Sequence, residues 1–266
     1  MSWIQHNLNQ RLIDKTLDFK FILISSKFKV MAFHDASDYT AQQIAALNIP
    51  LYLGLSGGAD SEYVLLCFHR NKIPIIPIIV KTSGNELETS FAFHICHKLN
   101  ITPIVLNLLD EDNIKLYAYC FNKLNGGGMW GMSTILASNY AKKNNGILIT
   151  GNHLIEENNI SVQKIDAHEW DFYSSILTNK NDINFFNYNP EIVYSMIYRI
   201  NGLPSDEFKH TLYETSFRPK INPTYTDEFY KKIKNIEYNN PTKANCKYIF
   251  GKKEEVLSMM EKWNAD

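Results

Sequence analysis

The chain has 266 residues, of which 45% are hydrophobic and 13% aromatic, enough for one large or two small hydrophobic cores. Its 27 basic and 28 acidic residues nearly cancel, so no overall positive charge indicates a nucleic-acid partner. No apolar run approaches the ~20 residues that a membrane span needs, and residues 1–6 lack the pattern of a secretory signal. We therefore expect a cytoplasmic protein with no membrane partner.

The first 49 residues predict a small α/β segment. Residues 19–24 and 29–33 look like the two strands of a hairpin that turns at residues 25–27. Ser37 or Asp38 then caps a predicted helix over residues 39–47, which Pro50 ends.

Residues 50–160 predict a central domain in which strands alternate with helices. Continuous apolar strands separated by helices are typical of a parallel, doubly wound α/β sheet. Pro77 places its strand at an edge or at an irregular position. Ligands of such sheets bind at the carboxyl ends of the strands, where the connections after the first, second and fourth strands should converge. The predicted strands cover residues 51–55, 75–80, 104–108 and 146–151, and the helices 62–68, 86–99, 113–124 and 133–143.

The connection after the first of these strands reads Ser56-Gly57-Gly58-Ala59-Asp60-Ser61, and we call it the glycine loop (residues 56–61). Two glycines allow positive φ and a close approach of the backbone to a phosphate. The helix that follows would direct its N–H groups and the positive end of its dipole at that phosphate. Ser56 and Ser61 offer hydroxyl donors, and Asp60 is a candidate Mg²⁺ ligand. A plain turn between strand and helix is the alternative interpretation.

The glycine loop resembles the PP-loop, S-G-G-x-D-S, of the ATP pyrophosphatase superfamily. The resemblance implies an adenine nucleotide alpha hydrolase-like, Rossmann-like fold, with ATP and Mg²⁺ as cofactors. It also implies that ATP is cleaved between its α- and β-phosphates and that AMP is placed on an acceptor. Under this resemblance Asp60 is catalytic, and it also binds the nucleotide together with Ser56, Gly57, Gly58 and Ser61.

Residues 81–89 follow the second strand, where members of this superfamily commonly hold the adenosine. The resemblance assigns nucleotide binding to Thr82, Gly84 and Glu86. The alternative is a helix N-terminus that Ser83 caps, with Glu86 as its capping-box partner.

Residues 148–158 are similar to the T-G-x-x-x-[DE]-[DE] element that follows the fourth strand in the superfamily. The resemblance implies that Gly151 contacts the nucleotide, that Glu156 binds Mg²⁺, and that Glu156 and Glu157 act on the departing pyrophosphate. The alternative is that both glutamates are solvated acids at a helix start.

Residues 161–266 predict a mostly helical C-terminal region that completes the acceptor site. An apolar stripe over residues 192–200 indicates a packed helix, and residues 227–236 and 254–263 look like further amphipathic helices. Family members place a cation against pyrophosphate in this region. Lys209 is the candidate, with Arg218 and Lys220 as neighbouring bases. The three glycines at 126–128 indicate either a hinged lid over the acceptor or a mobile connection.

The organisation of residues 50–160 is similar to the synthetase domain of asparagine synthetase-like enzymes. This similarity predicts an AMP-forming ligase that adenylates a carboxylate or carbonyl oxygen of a small-molecule acceptor and transfers nitrogen to it. Ser2 stands where the family's glutaminase domain has a Cys nucleophile. Nitrogen would therefore come from ammonia, an amine substrate or a separate glutaminase subunit, and we also consider a homodimer.

Two other functions remain open. Sulfur transfer or sulfonucleotide reduction would need a catalytic cysteine, yet the four cysteines form no C-x-x-C pair. Cys67 and Cys96 lie on apolar helix faces and are expected in the core, which leaves Cys120 and Cys246 as candidate reactive thiols. A nucleotide-binding regulator without turnover is the third hypothesis.

Overall fold

The computed structural model describes residues 4–6, 21–23, 29–81, 85–107, 128–151 and 182–197. The predicted helices over residues 113–124, 227–236 and 254–263 lie outside these ranges. Within them, no helix combines the length and the apolar content that crossing a membrane requires.

The N-terminal strands pair differently from the prediction. β1 (Ile4–His6) is antiparallel to β2 (Phe21–Leu23), with Ile4 opposite Leu23. Residues 29–32, predicted as part of the partner strand, lead directly into helix α1 (Phe33–Ala45). The hairpin prediction was wrong because a short apolar run does not distinguish a strand from the start of a buried helix.

Helix α1 begins six residues before the predicted start. Ala32 precedes it, and no side chain caps it. Ser37 and Asp38, the predicted caps, lie inside the helix, where the Ser37 hydroxyl donates to the Phe33 carbonyl at 2.8 Å. Burial of one apolar face, rather than a capping residue, therefore decides where this helix begins. The buried residues of that face are Phe33, Ala36, Ser37, Thr40, Ala41 and Ile44.

Within the described ranges, five parallel strands form the central sheet: β3 (Leu51–Gly54), β4 (Ile76–Lys81), β5 (Ile104–Asn107), β6 (Ile147–Thr150) and β7 (Ile183–Asn184). Their order across the sheet is β5-β4-β3-β6-β7. Tyr52 of β3 lies opposite Ile76 of β4 on one side and Leu148 of β6 on the other. The prediction of a parallel sheet is confirmed.

Helices cover both faces of this sheet. α2 (Ala59–Arg70) and α3 (Glu86–Lys98) link β3 to β4 and β4 to β5, whereas α4 (Gly128–Lys143) precedes β6 on the other side of β3. Because crossovers between parallel strands are right-handed, this reversal of direction places α4 on the opposite face. The sheet is therefore doubly wound and Rossmann-like, as predicted.

The side chains of β3 also pack against different helices on the two faces of the sheet. Leu51 and Leu53 lie in one core with Phe33 of α1, whereas the Tyr52 ring between them contacts Tyr140 of α4, with ring centroids 5.9 Å apart. The direction of winding reverses between β3 and β6, and the carboxyl ends of the strands at such a switch point form a ligand-binding crevice.

The predicted start of α4 needs correction. This helix begins five residues before the predicted residue 133, so Gly128 is helical rather than part of a glycine connection. In α3, the apolar side chain of Leu87 is 56% exposed, and the buried residues are Thr89, Ala92, Ile95 and Cys96.

Among the described strands Pro77 lies in an internal one, so of the two predicted positions, an edge or an irregular position, the edge was wrong. The Leu55 N–H donates to the Ile78 carbonyl at 2.9 Å, which shows that Ile78 bonds toward β3. Its neighbour Pro77 therefore faces the β5 side, where pairing begins only at Ile78 opposite Ile104. The missing N–H of Pro77 thus falls just before the β5 ladder, where no strand pairing requires a donor.

The described C-terminal segment packs onto this core. β7 extends the sheet, and a 3₁₀ turn (Phe185–Asn187) leads to α5 (Pro190–Ile197). Asn189 caps α5 by accepting from the Ile192 N–H at 3.0 Å, and its Nδ2 donates to Thr40 Oγ1 of α1 at 2.9 Å. Ile192, Val193 and Met196 are buried, so the described part of the predicted stripe is a packing surface as expected, and residues 198–200 lie outside the described ranges. The division into residues 1–49, 50–160 and 161–266 stays a prediction.

Candidate functional site

The glycine loop connects β3 to α2 at the carboxyl edge of the sheet. α2 begins at Ala59, three residues earlier than predicted, so Asp60 and Ser61 lie in its first turn. The Glu62 N–H donates the first intrahelical bond, to the Gly58 carbonyl at 3.1 Å. The first N–H groups of a helix have no partner within the helix itself, and this end of α2 carries the positive pole of the helix dipole. The strand–turn–helix arrangement expected for an anion site is present.

The two hydroxyls of the loop bond within it. Ser61 Oγ donates to the Gly58 carbonyl at 3.1 Å and accepts from the Ser56 N–H at 3.3 Å. Ser56 Oγ lies 3.1 Å from Ser61 Oγ and accepts from the Gly58 N–H at 3.2 Å. Because the single hydrogen of the Ser61 hydroxyl goes to the Gly58 carbonyl, the Ser56 hydroxyl is the donor in the bond between the two hydroxyls. The hydroxyls therefore shape the loop, and their predicted bonds to phosphate would require one of these contacts to be exchanged.

Gly57 packs against the first turn of α3. Its φ is +92°, and a Cβ atom there would overlap the Glu88 carbonyl oxygen and lie 2.8 Å from its carbonyl carbon. Gly58 has an ordinary φ of −74°. Of the two loop glycines, Gly57 thus has the positive φ that the sequence predicted, and the α3 backbone occupies the space of its missing side chain.

Gly151, after β6, lies against the first turn of α2. A Cβ atom on Gly151 would lie 3.0 Å from the Asp60 carbonyl carbon and 3.0 Å from the Ser61 nitrogen. The predicted convergence of the segments after the first and fourth strands is therefore observed. The first turn of α3, which follows the second strand, reaches the glycine loop through the Glu88 carbonyl beside Gly57.

The remaining predicted site residues are only partly described. Glu86 is the first residue of α3 and is exposed, and Asn85 precedes the helix. The capping-box alternative, with Ser83 as cap, was wrong because the helix begins at Glu86 itself. The predicted nucleotide ligands Thr82 and Gly84 lie outside the described residues. So do the predicted catalytic residues Glu156, Glu157 and Lys209, the bases Arg218 and Lys220, and the glycines Gly126 and Gly127.

Three acidic residues of the described chain lie near the loop in sequence or packing. Asp60 is half-buried and Glu62 is buried, both in the first turn of α2. Glu88 is half-buried, and this burial raises the pKa of its carboxyl group. Over the described ranges, no group of three or more His, Cys, Asp or Glu side chains could enclose a metal ion. A Mg²⁺ ion at Asp60 would therefore need oxygen ligands from the nucleotide or from other parts of the chain.

Helix α1 fixes α2 behind the loop. The Tyr63 hydroxyl, two residues after Ser61, donates to Ser37 Oγ at 2.8 Å. Near the other end of α2, Arg70 forms an ion pair of 2.6 Å with Asp38, and the Arg70 guanidinium carbon lies 5.3 Å from the centre of the Tyr63 ring. These contacts hold α2 at both ends, so its N-terminus has a defined direction.

The described cysteines are core residues, as predicted. Burial raises the pKa of Cys67 to about 12, and Arg70 opposes part of this rise. Burial raises the pKa of Cys96 to about 11. Neither thiol suits nucleophilic chemistry, which needs a thiolate at neutral pH. Cys120 and Cys246 lie outside the described residues.

We expect Cys67 and Cys96 to resist alkylation by iodoacetamide in the native protein at pH 8. At a pKa of about 12 only ~10⁻⁴ of a thiol is ionised at this pH, against roughly a quarter at the usual ~8.5. Peptide mass mapping before and after unfolding in urea would measure the difference. Labelling of either thiol in the native protein as fast as in urea would contradict its buried placement.

The sequence analysis missed two residues of this site. Glu88 carries the carbonyl that lies against Gly57, and Asn85 carries a side-chain contact to β4. Both lie within the segment assigned to nucleotide binding. An Asn directly before a predicted helix could have identified Asn85 from the sequence. The role of the Glu88 carbonyl could not be predicted, because every residue type has a backbone carbonyl.

Comparison with known proteins gives no family for this chain, since no protein-family model and no curated protein matches it. Solved structures with similar backbones include NMN synthetase from Francisella tularensis, with 12% identity and a TM-score of 0.36, covering 79% of this chain and 95% of that chain. A second is the NH3-dependent NAD synthetase from Campylobacter jejuni subsp. jejuni NCTC 11168, with 16% identity and a TM-score of 0.35, covering 88% and 96%.

A third similar structure is the glutamine-dependent NAD+ synthetase from Acinetobacter baumannii, with 11% identity and a TM-score of 0.41. The match covers 91% of this chain and 46% of that chain, so this chain spans about half the length of that enzyme. All three TM-scores lie below 0.5, and the three likenesses identify neither a family nor a substrate for this chain.

Proposed function

We propose that this protein is an ATP pyrophosphatase-type ligase, which adenylates an acceptor and releases AMP and pyrophosphate. The observation that carries the proposal is the glycine loop. Its S-G-G-x-D-S sequence lies at the carboxyl edge of a parallel sheet and runs directly into the N-terminus of α2. Gly57 has a φ of +92°, the positive φ expected of a glycine in such a turn.

The loop suits a polyphosphate for a specific reason. Both hydroxyl hydrogens have acceptors inside the loop, so we assign phosphate binding to backbone N–H groups at the helix end rather than to the hydroxyls. Such donors and the helix dipole favour an anion without requiring a lysine, and the loop has none. Backbone recognition of this kind holds phosphates and leaves the acceptor to be chosen by other parts of the chain.

The proposed chemistry has two steps. The acceptor's carboxylate or carbonyl oxygen forms a bond to the α-phosphorus of ATP, and the bond from that phosphorus to the bridging oxygen breaks, so pyrophosphate leaves. A nitrogen nucleophile then bonds to the activated carbon, loses a proton, and displaces AMP as the carbon–oxygen bond breaks. We propose ammonia, an amine or a separate glutaminase subunit as the nitrogen source, as in asparagine synthetase-like enzymes.

The residues would divide these tasks. Asp60 and Glu156 would hold Mg²⁺, which when bound neutralises charge on the departing pyrophosphate. Asp60 fits this role because it is a half-buried carboxylate in the first turn of α2, next to the glycine loop. Glu157 and Lys209 would contact the same leaving group. Gly151 would keep the end of β6 close enough to α2 for these groups to meet.

Sulfur chemistry would have to use Cys120 or Cys246, because both described cysteines are buried and have raised pKa values. A regulator without turnover would bind ATP with the same loop. The products of the reaction separate these hypotheses from the proposed ligase.

We expect the full chain to convert ATP to equal amounts of AMP and pyrophosphate in the presence of Mg²⁺, ammonium and a metabolite extract that contains the acceptor. ATP labelled at the α-phosphate, followed by chromatography, would detect AMP directly. Ser61→Ala removes the hydroxyl that bonds both Ser56 and Gly58, and we expect it to reduce the rate at least about tenfold, the effect of losing one to two hydrogen bonds.

Ser90→Ala is the matched control, because the exposed Ser90 hydroxyl of α3 donates only to the Leu87 carbonyl, at 2.6 Å. It should keep the wild-type rate. Formation of ADP and phosphate instead of AMP and pyrophosphate would refute the proposed function. Binding of ATP without any turnover would favour the regulator.

A further inference from the structure

Asn85, directly before α3, has a side chain that bonds to strand β4 rather than to its own helix. Asn85 is the N-cap residue of α3, where an Asn side chain ordinarily accepts from the helix's own N–H groups. Here no side-chain cap bond forms. Instead, Asn85 Nδ2 donates to the Val80 carbonyl of β4 at 2.9 Å. The side chain therefore ties the start of α3 back to the strand.

The Val80 carbonyl lies on the side of β4 that faces the glycine loop. The Ile78 carbonyl accepts from the Leu55 N–H of β3. Carbonyls two residues apart in a strand point the same way, so Val80 also directs its carbonyl to the β3 side. Beside Val80, the chain that continues from β3 is already the glycine loop, because β3 ends at Gly54. The Asn85 amide thus lies between the end of β4 and the loop.

The first turn of α3 transmits this contact to Gly57. The Asn85 carbonyl accepts from the Thr89 N–H at 2.9 Å and from Thr89 Oγ1 at 3.0 Å. Thr89 Oγ1 also lies within bonding distance of the Glu86 carbonyl, at 3.1 Å. The turn so fixed carries the Glu88 carbonyl, which occupies the space beside Gly57. A shift of this turn would open or close the space in which the loop glycine is held.

We propose that Asn85 is a positioning residue for the nucleotide: by holding the first turn of α3 on β4, it keeps the Glu88 carbonyl against Gly57 and the loop in its anion-binding form. The inference rests on the proposed function, since it names the residue that preorganises the same loop. Asn85 itself need not touch ATP. Its contribution is the reduced conformational freedom of the loop before the ligand arrives.

Asn85→Ala tests this role, with Asn144→Ala as the matched control. Asn144 Nδ2 donates to the Tyr140 carbonyl at 2.8 Å on the exposed end of α4, so the same substitution removes the same type of bond far from the loop in the chain. Two readouts are needed. One is hydrogen–deuterium exchange of the ligand-free protein in a peptide covering residues 55–62. The other is the Kd for α,β-methylene-ATP with Mg²⁺, measured by calorimetry.

We expect Asn85→Ala to speed exchange in the loop peptide and to raise the Kd about three- to tenfold, the fold-change expected from one lost hydrogen bond. Asn144→Ala should change neither quantity. If exchange and Kd in Asn85→Ala match those of Asn144→Ala while the wild type binds the analogue, the inference is wrong and the proposed function stands. If the wild-type protein does not bind the analogue, the proposed function fails, and the inference fails with it.

Discussion

Gly57→Ala should reduce ATP turnover about 100-fold and lower the stability of the protein. A Cβ atom at this position would overlap the Glu88 carbonyl, so α3 or the loop must move. Overpacking of this kind costs roughly 1–3 kcal/mol. The φ of +92° adds a further penalty of roughly 1–2 kcal/mol for a residue with a Cβ atom. A total of roughly 2–5 kcal/mol corresponds to a fall in Tm of about 4–20 °C for a chain of this size.

Turnover should fall because either movement displaces the loop amides from the positions that the folded loop gives them. Displacement by about 1 Å is enough to cost about 100-fold in rate. Thermal unfolding followed by circular dichroism, together with AMP formation from labelled ATP, measures the two effects. Both assays belong below the Tm of the variant, so that loss of activity reports on folded protein.

Gly54→Ala is the control for this experiment. Gly54 lies at the end of β3, and a Cβ atom there would meet its nearest neighbours, Ile149 and Leu148, at an ordinary distance of 3.9 Å. The same added methyl group should therefore change stability by less than about 1 kcal/mol and leave turnover close to wild type. Equal effects of the two substitutions would show that a side chain is tolerated at Gly57 as well as at Gly54, and would contradict the packing of Gly57 against α3.

Asp60→Asn should reduce kcat by about 100-fold or more and leave the fold intact. A carboxylate in the first turn of a helix stabilises it by only ~0.3–1 kcal/mol through the dipole. A carboxylate that holds Mg²⁺ against a leaving group can lower the barrier by several kcal/mol. At 1.36 kcal/mol per factor of ten, the kinetic effect should far exceed the effect on stability. A magnesium titration of the rate should also show a raised Mg²⁺ requirement.

Asp35→Asn makes the same chemical change in the first turn of α1, where Asp35 is exposed. It should lower stability about as much as Asp60→Asn does and have no effect on kcat. A near-native rate and an unchanged Mg²⁺ requirement in Asp60→Asn would mean that Asp60 only stabilises the start of α2. That result would remove Asp60 from the catalytic machinery without touching the assignment of the loop to nucleotide binding.

The parallel sheet could be predicted because its strands are apolar on both faces. β3 and β6 bury three successive residues each, and only a strand covered on both sides shows such a run. The glycine loop could be predicted for a related reason. A positive φ beside a closely packed backbone restricts the residue type to glycine. The conformation of Gly57 could therefore be predicted from the residue type alone.

The helix starts were predicted less well. Ser37 and Asp38 have the chemistry of N-caps, but they lie inside α1 because the Phe33 side chain is buried and draws the earlier residues into the helix. Asn85 shows the reverse case. It occupies an N-cap position, yet its side chain bonds to β4 rather than to its own helix. Local chemistry allows several partners for such side chains, and distant packing selects among them.

The sequence by itself determined the alternation of strand and helix, the two-sided burial of the sheet and the place of the glycine loop at a strand end. These properties depend on residue type and spacing along one segment of chain. Tertiary structure alone decided that β1 pairs with β2, that Pro77 lies in an internal strand, and that Glu88 of α3 and Gly151 after β6 close around the loop. Such contacts join segments far apart in the chain and several involve only backbone atoms, whose positions follow from the packing of the whole core.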